Sequence, residues 1–103
     1  MKRYQVILSE EVEAQLLGLY AFIADEAGPL VAKRFVDGIT EQCRKLDRFP
    51  NRGTPRDDLR QGVRTMVFRR HTVIAYMIED NAVHVIGVAY RGRELAGVLR
   101  DLG

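Results

Sequence analysis

With 103 residues, 47% hydrophobic and 29% charged, the chain has apolar material for one core and little beyond it, so a single domain spanning residues 1–103 is expected. No apolar run approaches the ~20 residues that cross a bilayer, and "MKRYQVILSEEVE" lacks the apolar length and cleavage site of a secretory signal, so a membrane or exported class is not expected and the cytoplasm is. A formal net charge of +2 argues against a general polyanion binder, and one cysteine with two histidines gives neither an intrachain disulfide nor a zinc-spaced ligand set; no metal or cofactor is expected.

In chain order, "RYQVIL" reads as a short strand with Tyr4, Val6 and Leu8 on one face. Ser9 is placed to cap a helix, with Glu10 and Glu11 in the first turn where the helix dipole favours negative charge. Val12, Leu16, Leu19, Tyr20 and Ile23 recur at helical spacing. The pattern stops at "EAGPL", where Gly28 can end one helix and Pro29 open the next. The second helix has Ala32, Phe35, Val36, Ile39, Cys43 and Leu46 on its apolar face and ends near Phe49-Pro50, because proline disfavours a helical predecessor. Residues 9–48 therefore predict a helical hairpin.

After the Gly-, Pro- and Asp-rich loop "NRGTPRDDLRQG" come three strand-like runs, Val63 to Phe68, Thr72 to Ile78 and Val83 to Tyr90. They predict an antiparallel meander, whose last two strands turn through Asp80-Asn81. Pairing Glu79 with Ala82 sets Met77 against His84, Ala75 against Ile86, Val73 against Val88 and His71 against Tyr90 on one face. Ile74, Tyr76, Ile78, Val83 and Val85 lie on the other. Both faces are largely apolar, and two helices cover only one. The second needs another cover: the C-terminal "RELAGVLRDL", which has the spacing of a short helix, a second copy of the chain, or a different protein. The fold class is α+β, a helical hairpin packed on a small antiparallel sheet.

Charge is unevenly distributed. Residues 1–48 carry seven Lys or Arg against eight Asp or Glu, whereas residues 49–103 carry nine against six, and all nine are arginine. Arginine offers a planar fork of donors suited to carboxylate or phosphate. Arg52, Arg56, Asp57 and Asp58 read as loop scaffold. Arg60, Arg64, Arg69, Arg70, Arg91 and Arg93 read as a surface that meets acidic partners, and the apolar sheet face with the exposed side of the first helix, Leu17 together with Tyr20 or Leu16 where these are not fully buried, as a docking face.

The strand, the helical hairpin, the loop "FPNRGTPRDDLRQGVRTMVFRRHTVIAY" and the ending "VHVIGVAYRGREL" together resemble the ParE toxins of the RelE/ParE superfamily over essentially the whole chain. The specific part is the irregularly gapped "FP.RG.PRDDLR.G.R". The resemblance implies a β-α-α-β-β-β fold and a bacterial type II toxin-antitoxin module. It further implies a target in DNA gyrase, with or without its bound DNA, and neutralisation by a ParD-like antitoxin in a hetero-oligomer.

The other branch of the superfamily, the RelE-like toxins, cuts mRNA on the ribosome, which needs a base, phosphate-binding cations and an acid. Arg64, Arg69, Arg70, Arg91 and Arg93 could hold a phosphate, and His71 or His84 could move protons beside Tyr90. The lysines that RelE-like sites use have no counterpart after Lys45, and Gly92 and Glu94 stand beside the final arginines. The expectation is therefore a protein-binding poison with no catalytic residue. A ribosome-dependent endonuclease using His71, His84, Tyr90 and Arg64 is the alternative. No phosphate-loop ending follows "GTPRDDLRQG", and the strand aromatics are too few for a base-stacking platform.

Overall fold

The computed structural model describes residues 3–90. In order these form β1 (Gln5–Leu8), α1 (Glu10–Ala27), α2 (Pro29–Arg44), two 3₁₀ turns (Lys45–Asp47 and Pro50–Arg52), β2 (Thr54–Pro55), β3 (Val63–Phe68), β4 (Thr72–Glu79) and β5 (Ala82–Tyr90). The five strands make one sheet in the order β1-β5-β4-β3-β2, and the helical hairpin packs on one face. The expected C-terminal helical segment, with Arg91 and Arg93, lies outside the described residues.

Helix α1 starts where its cap dictates. Ser9 is extended, and its Oγ accepts a hydrogen bond from the Val12 amide at 3.2 Å, satisfying one of the donors that a helix start leaves free. Gly28 then serves both helices. Its φ of 95° is a conformation that side chains avoid; its N–H closes α1 on Ala24 O at 2.9 Å, and its carbonyl receives the Ala32 amide at 3.1 Å. Pro29 occupies the first position of α2. A hairpin this tight lets Val12, Leu16, Leu19 and Ile23 of α1 and Ala32, Ile39 and Cys43 of α2 share one core with Met66, Ile74, Tyr76, Val83, Val85 and Val88 of the sheet. Burial pushes the Cys43 thiol up to about 12, which keeps it a protonated apolar group.

Two features of the sheet differ from the sequence reading. The first strand joins parallel to β5, Val6 opposite Val83 and Leu8 opposite Val85, so the sheet is mixed, with the meander antiparallel and β1 on its edge. The β4–β5 hairpin also changes register. Glu79 pairs with Ala82 and Met77 with His84 as expected, but a bulge between Ala75 and Tyr76 then sets Ala75 opposite Gly87, Ile74 opposite Val88 and Thr72 opposite Tyr90. The expected pairings Ala75–Ile86, Val73–Val88 and His71–Tyr90 are therefore wrong by one residue. An extra residue in β5 reverses the parity of the strand beyond it, and this carries Val88 and Tyr90 onto the helix-covered side.

The other face is covered in part from within. Val63 and Ala75 are fully buried there, packed with Leu59 of the preceding loop, Met77 and Ile86. Val67 remains 59% exposed and Ile7 36%. Beyond Leu8, where β1 ends, α1 closes the edge of β5: Gln15 Oε1 accepts the Val88 N–H at 2.8 Å.

Among the described residues one buried side-chain polar atom has no partner, the Thr72 hydroxyl. A buried hydroxyl without a hydrogen bond costs more than an apolar group of the same shape. Thr72→Val should raise stability by about 1 kcal/mol, read as a higher urea midpoint with an unchanged slope. A lower midpoint would mean that the hydroxyl is satisfied.

Candidate functional site

Two surfaces at separate parts of the fold gather the arginine-rich sequence. The first is the β3–β4 turn. Phe68 pairs with Thr72, leaving Arg69, Arg70 and His71 at the tip, all exposed. Arg69 and Arg70 both adopt left-handed backbone, φ 47° and 69°, a conformation in which Cβ crowds the following carbonyl at about 1–2 kcal/mol per residue. The guanidinium of Arg69 lies over the rings of Phe35 and Phe68, 5.6 and 5.1 Å from their centroids, a contact that fixes its direction. Those rings continue a run of edge-to-face pairs, Phe68–Phe35 at 5.3 Å, Phe35–Tyr90 at 5.6 Å and Tyr90–Phe22 at 6.0 Å. Gly38 makes room for it, since a Cβ there would sit 2.7 Å from the tip of the Phe68 ring. The turn is thus a strained, cationic tip mounted on an aromatic base.

Beside that base, Ala14, Gln15, Gly18, Leu19 and Phe22 of α1 face Val88 and Tyr90 across a groove of about 550 Å³. Leu17, on the outer side of the same helix, is 72% exposed, Tyr20 36% and Phe22 44%, whereas Leu16 is buried. The docking residues expected from sequence, Leu17 and Tyr20, are therefore at the surface.

The second surface is the loop after α2. Tyr76, fully buried in β4, donates its hydroxyl to Pro50 O at 2.7 Å and accepts the Gly53 N–H at 2.9 Å. Burial raises its phenol above the ordinary range, while the Gly53 amide pulls the other way. Arg64, opposite Tyr76 in the β3–β4 ladder, gives one nitrogen, Nη1, to Asn51 O at 3.1 Å and Gly53 O at 2.8 Å. Gly53 is required by this close approach, because a Cβ would lie 2.5 Å from the Tyr76 hydroxyl and 2.9 Å from Thr65 O. Further along, Arg56 grips Asp58 with two bonds of 2.9 Å. That pairing holds the Asp58 carboxyl below the usual range, although its exposure screens the attraction. Asp57 Oδ1 accepts the Gly62 amide at 2.8 Å, and Gly62, at φ 87°, supplies the turn into β3.

Of the groups named for a nuclease, His84 lies away from Tyr90. His71 is on the turn, and Tyr90 packs among the rings. His84 sits six residues before Tyr90, about 20 Å away along an extended strand, on the opposite face. Arg64 braces the loop. Among the described residues, no group of three His, Cys, Asp or Glu side chains converges as metal ligands would, and no helix is long and apolar enough to cross a membrane. Arg60 is exposed, with its backbone in the loop before β3. Sequence reasoning missed the part played by Tyr76, whose hydroxyl works 26 residues away in the chain. It also missed the setting of Lys45, Arg48 and Phe49, which line a groove with Arg52.

Removing the hydroxyl with Tyr76→Phe leaves the Pro50 carbonyl and the Gly53 amide short of a partner, and should cost about 1–3 kcal/mol. Chemical denaturation reads this as a lowered midpoint. An unchanged midpoint would mean that the loop is not held by Tyr76.

Known structures share this scaffold. A chain of the chromosomal ParDE TA system from P. aeruginosa superposes with a TM-score of 0.77 at 21% identity, covering 86% of this chain and 97% of that one. A chain of the YoeB-YefM complex from Staphylococcus aureus superposes at 0.53 and 17% identity, covering 86% and 98%. Both share the fold. No curated protein matches the sequence. The model of the ParE toxins of type II toxin-antitoxin systems, parDE, matches residues 6–95, nearly the whole sequence, and the chain belongs to that family.

Proposed function

We propose that this ParE-family toxin acts in the cytoplasm by binding, not by cleavage. It inhibits DNA gyrase and is neutralised by a ParD-like antitoxin. The observation that carries the reading is the family match across residues 6–95. The placement of His84 on the face opposite Tyr90 and the use of Arg64 to brace the loop support a non-catalytic action, since acid, base and phosphate-holding groups must reach one reacting centre.

The groove between α1 and β5, with Leu17 and Tyr20 outside it, is the antitoxin's docking face. Its apolar lining suits a partner segment that orders on binding, which spends part of the interaction free energy on that ordering. The β3–β4 turn is the target-facing surface. Two successive arginines in a costly backbone conformation that glycine would relieve point to a use for what the turn presents.

Plasmid supercoiling by purified gyrase with ATP tests this reading. The expected result is inhibition with trapped, linearised DNA that the antitoxin reverses, and Arg69→Glu/Arg70→Glu should weaken inhibition at least tenfold. Unaffected gyrase, with protein that still arrests growth, would overturn the gyrase assignment and favour ribosome-dependent mRNA cleavage. Unchanged inhibition and antitoxin affinity in the double variant would overturn the role of the turn.

A further inference from the structure

The groove after α2 has a composition that folding does not explain. It is lined by Glu41, Arg44, Lys45, Asp47, Arg48, Phe49 and Arg52 and encloses about 320 Å³. Its two carboxylates are each met by a cation, Glu41 by Arg44 at 3.6 Å and Asp47 by Arg3 at 4.0 Å. Among the described residues, Lys45, Arg48 and Arg52 have no carboxylate within ion-pair distance. Three like charges around one opening repel each other, and an entering anion would relieve that repulsion. Phe49 stands among them with 58% of its surface exposed.

The backbone reinforces this asymmetry. The carbonyl of Pro50 turns to the Tyr76 hydroxyl, and those of Asn51 and Gly53 turn to Arg64. The carbonyl of Phe49 accepts the Arg52 amide at 3.3 Å. The loop thus commits these four acceptors to its own hydrogen bonds while its cations line the opening. An anion entering the groove meets these cations and the exposed Phe49 ring, beside two carboxylates that already have cation partners. Because the same bonds fasten the loop to the sheet, the ring is presented on a rigid support.

We propose that this groove binds single-stranded nucleic acid, with Lys45, Arg48 and Arg52 on successive phosphates and an unstacked base against Phe49. Cations spaced along a groove with an aromatic ring among them are what a single strand requires, the phosphates supplying affinity and the ring accepting any base. An acidic peptide satisfies the cations without requiring the ring, so the contribution of Phe49 and competition by polyglutamate separate the two. The inference goes beyond the proposed target and is read by direct binding, so its outcome is independent of any effect on gyrase.

Fluorescence anisotropy of a labelled twelve-residue oligothymidylate, titrated with the full chain at several salt concentrations, tests it. Affinity should fall as salt rises. Lys45→Glu/Arg48→Glu should weaken binding at least tenfold and lower the salt slope by about 1.4, at about 0.7 for each single-strand phosphate that is no longer neutralised. Phe49→Ala should weaken it about tenfold with the slope unchanged. Circular dichroism confirms that the variants fold, and all three side chains are exposed. Binding indifferent to Lys45→Glu/Arg48→Glu, or unaffected by Phe49→Ala, would overturn the proposal. So would polyglutamate competing as well as unlabelled oligothymidylate, which would assign the groove to an acidic protein segment.

Discussion

The Tyr76 hydroxyl is the contact on which the arrangement of the arginine-rich region depends. A phenol buried in the middle of a sheet must find hydrogen-bond partners, and the partners lie in the loop after the helical hairpin. To reach them the loop must lie directly over β4, which demands Gly53, because any side chain there would strike the hydroxyl. The buried Pro50 fixes the approach, and Arg64, opposite Tyr76, holds the remaining carbonyls. The sequence "FPNRG" thus has an inner and an outer half: Pro50 and Gly53 serve the clasp, while Phe49 and Arg52 are what the clasp displays. The density of arginines has the same double origin. Arg64 and Arg56 hold the chain to itself, and Arg48, Arg52, Arg69 and Arg70 are left for others.

The bulge in β5 is the second organising element. Without it, Val88 and Tyr90 would fall on the far face, leaving the aromatic base of the β3–β4 turn without its central ring. Tyr90 joins Phe22 of α1 to Phe35 of α2, and Phe35 in turn meets Phe68 and Arg69. The turn's direction is therefore linked, ring by ring, to the groove on α1.

Much of this was legible in the sequence. Ser9, Gly28 and Pro29 marked the helix boundaries because caps and breakers act locally, and the spacing of Val12, Leu16, Leu19 and Ile23 gave the buried face, while Tyr20 of the same spacing stays at the surface. Asp80 takes the left-handed backbone expected of the hairpin turn. The bulge was not legible, since "VIGVAY" is apolar throughout and gives no parity signal when one residue is inserted. Nor was the parallel pairing of the first strand, because periodicity identifies a strand but not its neighbour. The clasp escaped for a similar reason. Tyr76 reads as one more core aromatic, and Arg64 as one more surface cation, until the ladder sets them side by side beneath the loop. Lys45 and Arg48 fall within the helix that the spacing carries to Phe49-Pro50, and their setting comes only from the loop that folds back beside them.

The loop carrying Phe49 and Arg52 is part of the same cooperative unit as the sheet, through the Tyr76 hydroxyl. Hydrogen exchange at the Gly53 amide tests this most directly, since that group is bonded to the Tyr76 hydroxyl. Protection comparable with the β3–β4 ladder amides is expected in the native protein, lost in Tyr76→Phe while the ladder stays protected. Exchange of the Gly53 amide at the rate of an open loop in the native protein would contradict it.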